Sequence, residues 1–108
     1  MTHLAVVTTV ATQDDARRLA RSMVEHKLAA CAQISQIESF YPWDGALQQE
    51  AEWRIVLKTR SSLYQHLEDA LKAEHPYKLP AIVAVTLDHL SPDYAGWIDF
   101  NVLQMPAA

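Results

Sequence analysis

Residues 74–80 (EHPYKLP) contain two prolines, with the imidazole of His75 directly before the first and the phenol of Tyr77 between them. Pro76 cannot continue a preceding helix and biases His75 away from the α region, while Pro80 fixes its own φ before an apolar run. The linker is therefore stiff and holds both rings in place. An imidazole held in this way suits metal ligation or proton transfer, and equally a structural hydrogen bond.

The other histidines give this imidazole no local partner for binding a metal. No two of the five histidines are spaced i, i+4 on one helix, and the chain has one cysteine, so a closed zinc site within one chain is not expected. A threefold oligomer would present one histidine or acidic residue three times, near its axis or in a subunit cleft. Such an arrangement suits an imidazole-preferring ion such as copper.

Further polar side chains on the predicted long strands and on the linker form a candidate ligand-binding cleft between subunits. They are Tyr41, Trp43, Glu52, Lys58 and Tyr77. Glu52 and Lys58 are an even number of residues apart, so they face the same side of a regular strand, about 20 Å from each other. The alternative interpretation is that these residues are solvated groups at strand ends.

Cys31 lies among alanines in residues 27–32 (KLAACA), where a strand is predicted to start. A reactive thiolate requires a cationic neighbour, and Lys27 is the nearest one in the sequence. We therefore predict a small buried apolar side chain, with a redox or metal-binding thiol as the alternative.

Signatures of common catalytic sites do not occur in the sequence. With Gly45 and Gly96 as its only glycines, the chain cannot build a phosphate-binding loop or a dinucleotide-binding turn, and no serine stands in a nucleophile elbow. We expect a protein that is not an enzyme.

A short series of predicted elements must position these residues. Helices are predicted to start at Thr12, at Ser61 or Ser62, and at Ser91, and an Asp44-Gly45 turn joins two of the strands. The predicted strands are residues 4–9, 30–41, 48–59 and 81–87. The order β-α-β-β-α-β plus a C-terminal helix predicts an α+β, ferredoxin-like fold with an antiparallel sheet. Residues 53–58 carry apolar side chains on both strand faces, which predicts a subunit interface.

Composition and charge narrow the class of protein. Residues 1–108 are expected to form one domain, with half of the residues hydrophobic and a net charge of −4. Basic residues cluster on one helix face only, so no nucleic-acid partner is expected. Because the chain shows no secretory leader and no apolar run of the roughly 20 residues that cross a membrane, we expect a cytoplasmic protein with no membrane partner.

Four motifs, taken in order, resemble the CutA family of divalent-cation tolerance proteins. They are residues 27–31 (KLAAC), 41–45 (YPWDG), Glu52 with 57–59 (LKT), and 75–77 (HPY) with Pro80. The resemblance implies a ferredoxin-like subunit in a homotrimer, similar in architecture to the PII signalling proteins. It also implies a role in tolerance of copper and other divalent cations.

The ligand set that the resemblance implies is only partly present in this chain. Thr8 stands where some members have a cysteine, Glu74 where they have a second histidine, and Ala81 where a glutamate commonly follows the proline. His75 carries over. The resemblance therefore implies weak binding of copper or another divalent cation through His75, with Glu74 beside it, and no cofactor required for the fold.

Three functional hypotheses follow. The first is a trimeric tolerance protein that binds a divalent cation weakly in response to metal. The second is a regulatory module of the PII type, which holds a small anionic metabolite or a partner protein in the clefts between subunits. In the third, His75 and Tyr77 satisfy hydrogen bonds at a trimer interface and no ligand binds.

Overall fold

The computed structural model describes residues 2–104, which form four strands, three α-helices and a short 3-10 turn. The strands are β1 (His3–Val10), β2 (Cys31–Trp43), β3 (Ala46–Arg60) and β4 (Ile82–Thr86). The helices are α1 (Gln13–Glu25), α2 (Tyr64–Glu74) and α3 (Pro92–Phe100), with the 3-10 turn Ser61–Leu63 before α2. All strand pairs are antiparallel, in the order β2-β3-β1-β4. The fold is α+β and ferredoxin-like, as predicted.

The main core lies between one face of the sheet and helices α1 and α2. Val6 and Leu57, partners in the β1–β3 register, are fully buried together with Leu19 of α1 and Leu67 and Leu71 of α2. Alternate strand residues reach this core because successive side chains point to opposite faces. Burying each of these large side chains stabilises the fold by roughly 1.5–3 kcal/mol.

Helix α3 covers one end of the opposite sheet face. Its Tyr94 contacts Cys31 and Lys58, which are partners in the β2–β3 register, and Oδ1 of Asp99 lies 2.8 Å from Nε2 of His3. Ser91 caps the helix by accepting the backbone N–H of Tyr94, as the Ser-Pro signal predicted.

The rest of that face carries an apolar stripe, defined here as Val7, Val56, Val83 and Val85. Val7 is the register partner of both Val56 and Val83, so the stripe crosses β3, β1 and the edge strand β4. In the single chain Val83 and Val85 are each 56% exposed. Exposed apolar surface of this kind is typical of protein–protein interfaces.

Strands β2 and β3 continue beyond the sheet as a two-stranded ribbon. β1 pairs with β3 from Trp53 to Arg60, whereas β2 pairs with β3 down to Ala46. The Asp44-Gly45 turn has φ values of 51° and 74°, the left-handed geometry of a tight hairpin turn. The sequence-based strand ends, residues 41 and 48, are therefore wrong by two residues each, since a two-residue turn lets pairing continue to the turn itself.

The structure also defines the end of helix α1, and it shortens the predicted strand 81–87 by one residue at each end. Helix α1 ends at Glu25 because Lys27 takes a left-handed conformation with φ 58°, which no α-helix can include. Pairing of β4 begins at Ile82, the partner of Thr8, and its last residue is Thr86. Within residues 2–104, no helix is both long enough and apolar enough to cross a membrane.

Candidate functional site

The linker between α2 and β4 places His75 against β1. His75 is extended, with φ −71° and ψ 135°, as expected for a residue that precedes a proline. Its Nε2 lies 3.0 Å from Oγ1 of Thr8, and its Nδ1 accepts the backbone N–H of Tyr77 at 3.1 Å. Thr8 is fully buried, so the imidazole reaches into the protein from the linker.

These two hydrogen bonds define the state of the imidazole. Because Nδ1 accepts a backbone N–H, the proton of the neutral ring is on Nε2, which donates to Thr8. Burial lowers the pKa of His75, which favours this neutral form at pH 7. Neither ring nitrogen offers a free lone pair for a metal ion in this arrangement.

Tyr77, two residues further on, binds a buried carboxylate. Its phenol donates to Oε2 of Glu52 at 2.7 Å, and Glu52 is only 6% exposed. Glu52 is the residue at which β3 leaves its pairing with β1 and continues into the ribbon. Burial, together with the bond to Glu52, strongly raises the pKa of Tyr77, so the phenol stays protonated and remains a neutral partner for the carboxylate.

A second phenol–carboxylate pair lies beside the first, on the ribbon. Tyr41 donates to Oε2 of Glu50 at 3.0 Å. Glu50 and Glu52 are two residues apart on β3 and so face the same side. The bond to Glu50 raises the pKa of Tyr41, and the charge of Glu52 raises it further. We call Tyr41, Glu50, Glu52 and Tyr77 the carboxylate–phenol cluster.

The cluster unites three of the residues that the sequence singled out, and it adds Glu50. Nothing in the sequence marked Glu50 apart from its even spacing from Glu52. Trp43 lies outside the cluster, half exposed at the ribbon end, where its carbonyl accepts a side-chain N–H of Gln48.

Glu74 is directed toward α1 and away from His75. Its Oε2 accepts the hydroxyl of Ser22 at 2.9 Å, its backbone carbonyl accepts from Arg18 at 3.1 Å, and Oε1 is 3.8 Å from the Arg18 guanidinium. The structure therefore separates the carboxylate of Glu74 from the imidazole next to it in the sequence.

Lys58 and Cys31 belong to a separate group beneath α3. Sγ of Cys31 lies 3.6 Å from the hydroxyl of Tyr94, and Nζ of Lys58 lies 5.3 Å from the centre of that ring. The hydrogen bond with Cys31 raises the pKa of Tyr94. Cys31 is half-buried, and its cationic neighbour is Lys58 across the strands, which sequence distance alone did not reveal.

Residues 2–104 contain no group of three or more His, Cys, Asp or Glu side chains that could hold a metal ion within one chain. The carboxylate–phenol cluster brings two carboxylates, Glu50 and Glu52, to the same side of one strand. A cation bound there from one chain alone would have an incomplete set of ligands, so the cluster suits a site that neighbouring subunits complete.

The chain is similar to proteins of one family along nearly its whole length. The family described as CutA1 divalent ion tolerance protein matches residues 4–101. The divalent-cation tolerance protein CutA of Pyrococcus horikoshii is 32% identical over 95 residues, covering 88% of this chain and 93% of that protein. The CutA of Archaeoglobus fulgidus is 34% identical over 100 residues, covering 93% and 98%. The crystal structure of CutA1 from Oryza sativa has a TM-score of 0.93 at 34% identity, covering 97% of each chain. The chain therefore belongs to the CutA1 family of divalent ion tolerance proteins.

Proposed function

We propose that this protein is a cytoplasmic homotrimer that confers tolerance by binding a divalent cation, such as copper, at the carboxylate–phenol cluster on a boundary between subunits. The observation that carries the proposal is the buried carboxylate of Glu52. Within residues 2–104 its hydrogen-bond partner is a neutral phenol, and no cationic side chain forms an ion pair with it. A buried charge without a counter-charge is costly, so a cation at this position would be stabilising.

The apolar stripe supports the trimer. Val83 and Val85 lie on an edge strand, which exposes both unpaired backbone groups and apolar side chains in the single chain. Association through this surface would bury the stripe. It would also bring the cluster of one chain close to donor atoms of the next.

His75 acts in this proposal as a positioning residue for the linker. It binds Thr8 on one side and the backbone of Tyr77 on the other, and Tyr77 in turn holds Glu52. Direct ligation by His75, which the family resemblance implied, would require the imidazole to break one of these two bonds.

Copper titration of the tag-free trimer by calorimetry tests the proposal. Glu52→Gln keeps the shape of the side chain and removes its charge, so we expect it to weaken copper binding by at least about tenfold. Glu38→Gln is the matched control, because Glu38 is an exposed carboxylate on the same hairpin that accepts only an amide N–H.

Identical isotherms for wild type and Glu52→Gln would rule out the cluster as the cation site. The variant His75→Gln distinguishes cation binding by the imidazole from cation binding by the carboxylate–phenol cluster. Loss of binding in His75→Gln with no change in Glu52→Gln would assign the cation to the imidazole and contradict the cluster.

A regulatory module of the PII type is the second candidate. It is favoured by Lys58, whose ammonium group contacts an aromatic face and, within residues 2–104, no carboxylate, and by the half-exposed indole of Trp43. Both groups suit an anionic ligand held between chains. Thermal-shift screening against nucleotides and carboxylates distinguishes it, since a true ligand raises the Tm in a concentration-dependent way and a flat screen counts against this candidate.

A further inference from the structure

A cleft lies between α2 and the chain that leads from the proline linker into β4. It is a shallow groove of about 460 Å³ that is open to solvent on one side. Tyr77 contributes to one wall. The other lining residues are Glu68, Lys72, Lys78, Leu79, Pro80 and Ile82. One side of the cleft is thus a helix and the other is a stiff, proline-bracketed segment, so its shape is largely preformed.

The charge balance of this cleft favours an anion. Glu68 already accepts hydrogen bonds from Tyr64, Gln65 and Lys72, and these donors, Gln65 foremost, lower its pKa. Its negative charge is therefore well satisfied within α2. Lys78 is exposed and forms no hydrogen bond or ion pair within residues 2–104. Glu68 and Lys72 neutralise each other, so Lys78 gives the cleft one positive charge that no carboxylate balances within residues 2–104.

The remaining wall is apolar. Leu79 is 74% exposed although it sits in a rigid segment, and Pro80 and Ile82 continue the same surface. An exposed leucine beside an unpaired lysine suits a ligand that has both an apolar group and a charge.

We propose that this cleft binds a small amphipathic anion, a phosphate ester or carboxylate that carries an aromatic or aliphatic group, within each single chain. The anionic group is held by Lys78, and the apolar group packs on Leu79 and Ile82. This site is distinct from the cation site and does not depend on it. The two sites share one residue, because Tyr77 lines the cleft and donates to Glu52.

Calorimetric titration with phenyl phosphate, in the presence of a chelator, tests the proposal. Lys78→Gln is expected to weaken binding by about threefold to fivefold, the range of a solvent-exposed charge pair. Leu79→Ser is expected to weaken phenyl phosphate binding while leaving the much weaker binding of inorganic phosphate unchanged. Arg17→Gln, which removes an exposed cation from α1, is the control and should have no effect.

Equal affinities for wild type and Lys78→Gln would overturn the proposal, as would equal affinities for phenyl phosphate and inorganic phosphate in the wild type. The variant Glu52→Gln distinguishes a failure of the anion-site proposal from a failure of the cation-site proposal. It is expected to bind phenyl phosphate normally, so loss of copper binding in that variant concerns only the cation site.

Discussion

Aspartate in place of Val85 is expected to convert the proposed trimer into folded monomers. Val85 lies in the apolar stripe on an edge strand and is 56% exposed in the single chain, so the substitution leaves the main core intact. In the assembly each subunit would bury an unpaired carboxylate, which costs several kcal/mol per charge after relaxation. Each of the three interfaces carries one such cost, and about 4 kcal/mol per interface weakens association there by about a thousandfold.

Light scattering coupled to size-exclusion chromatography measures the outcome, and far-ultraviolet circular dichroism checks that the monomer is folded. Thr86→Asp is the control, because Thr86 is exposed on the same strand and alternates with Val85, outside the stripe. A trimer that survives Val85→Asp would show that the stripe is not the assembly surface.

Valine in place of Thr8 is expected to lower the free energy of unfolding by about 0.5–1.5 kcal/mol, the range for one lost hydrogen bond, although the two side chains have the same shape. The hydroxyl of Thr8 is fully buried and receives the Nε2 proton of His75. Without it, that N–H retains only its interaction with the backbone of Thr9, and the buried position of the hydroxyl admits little water to replace it. Urea unfolding at a fixed protein concentration measures the change.

Thr9→Val is the matched control, because Thr9 is the next residue of β1 and its side chain lies on the other sheet face. The double variant Thr8→Val with His75→Ala should cost less than the sum of the two single changes, since each single change already removes the hydrogen bond between the two side chains. Strict additivity would show that the two residues do not interact.

The pH dependence of stability gives a separate measure of His75. Its pKa is lower in the folded protein than its ordinary value near 6.5 because the ring is buried. The unfolded chain therefore binds the proton first as the pH falls, and stability decreases with falling pH below about 6.5. Between neutral pH and pH values below about 6.5, His75→Gln should lose less stability than the wild type. Parallel curves of stability against pH for the two proteins would contradict the burial of the neutral ring.

Local signals in the sequence predicted the fold well. Thr12, the Asp44-Gly45 turn and the two prolines of the linker each fix a backbone conformation by short-range chemistry, and the structure has a cap, a turn and a helix end at those positions. The hairpin was predicted too short because alternation marks the strands but does not say how close to the turn pairing persists.

The site itself was only partly predictable, because its contacts depend on register and on distance along the chain. Tyr41 meets Glu50 and Cys31 meets Lys58 across β2 and β3, which requires the exact pairing of two long strands. Thr8 and His75 had each been noted as positions of the family's ligand set. Their 3.0 Å contact explains why these two positions belong together even where one of them is not a metal ligand.

The ribbon of β2 and β3 makes the cluster sensitive to protein concentration. A two-stranded hairpin outside a larger sheet is marginally stable in water. Tyr41, Glu50 and Glu52 lie on this ribbon, Glu52 at its base, whereas Tyr77 is fixed by the linker, so most of the cluster sits on the least cooperative part of the chain. Dilution that separates the subunits would let the ribbon fray and disassemble the site, while synthesis of more protein would order it. The abundance of the protein would then determine the fraction of chains that have a formed site, in addition to the number of chains.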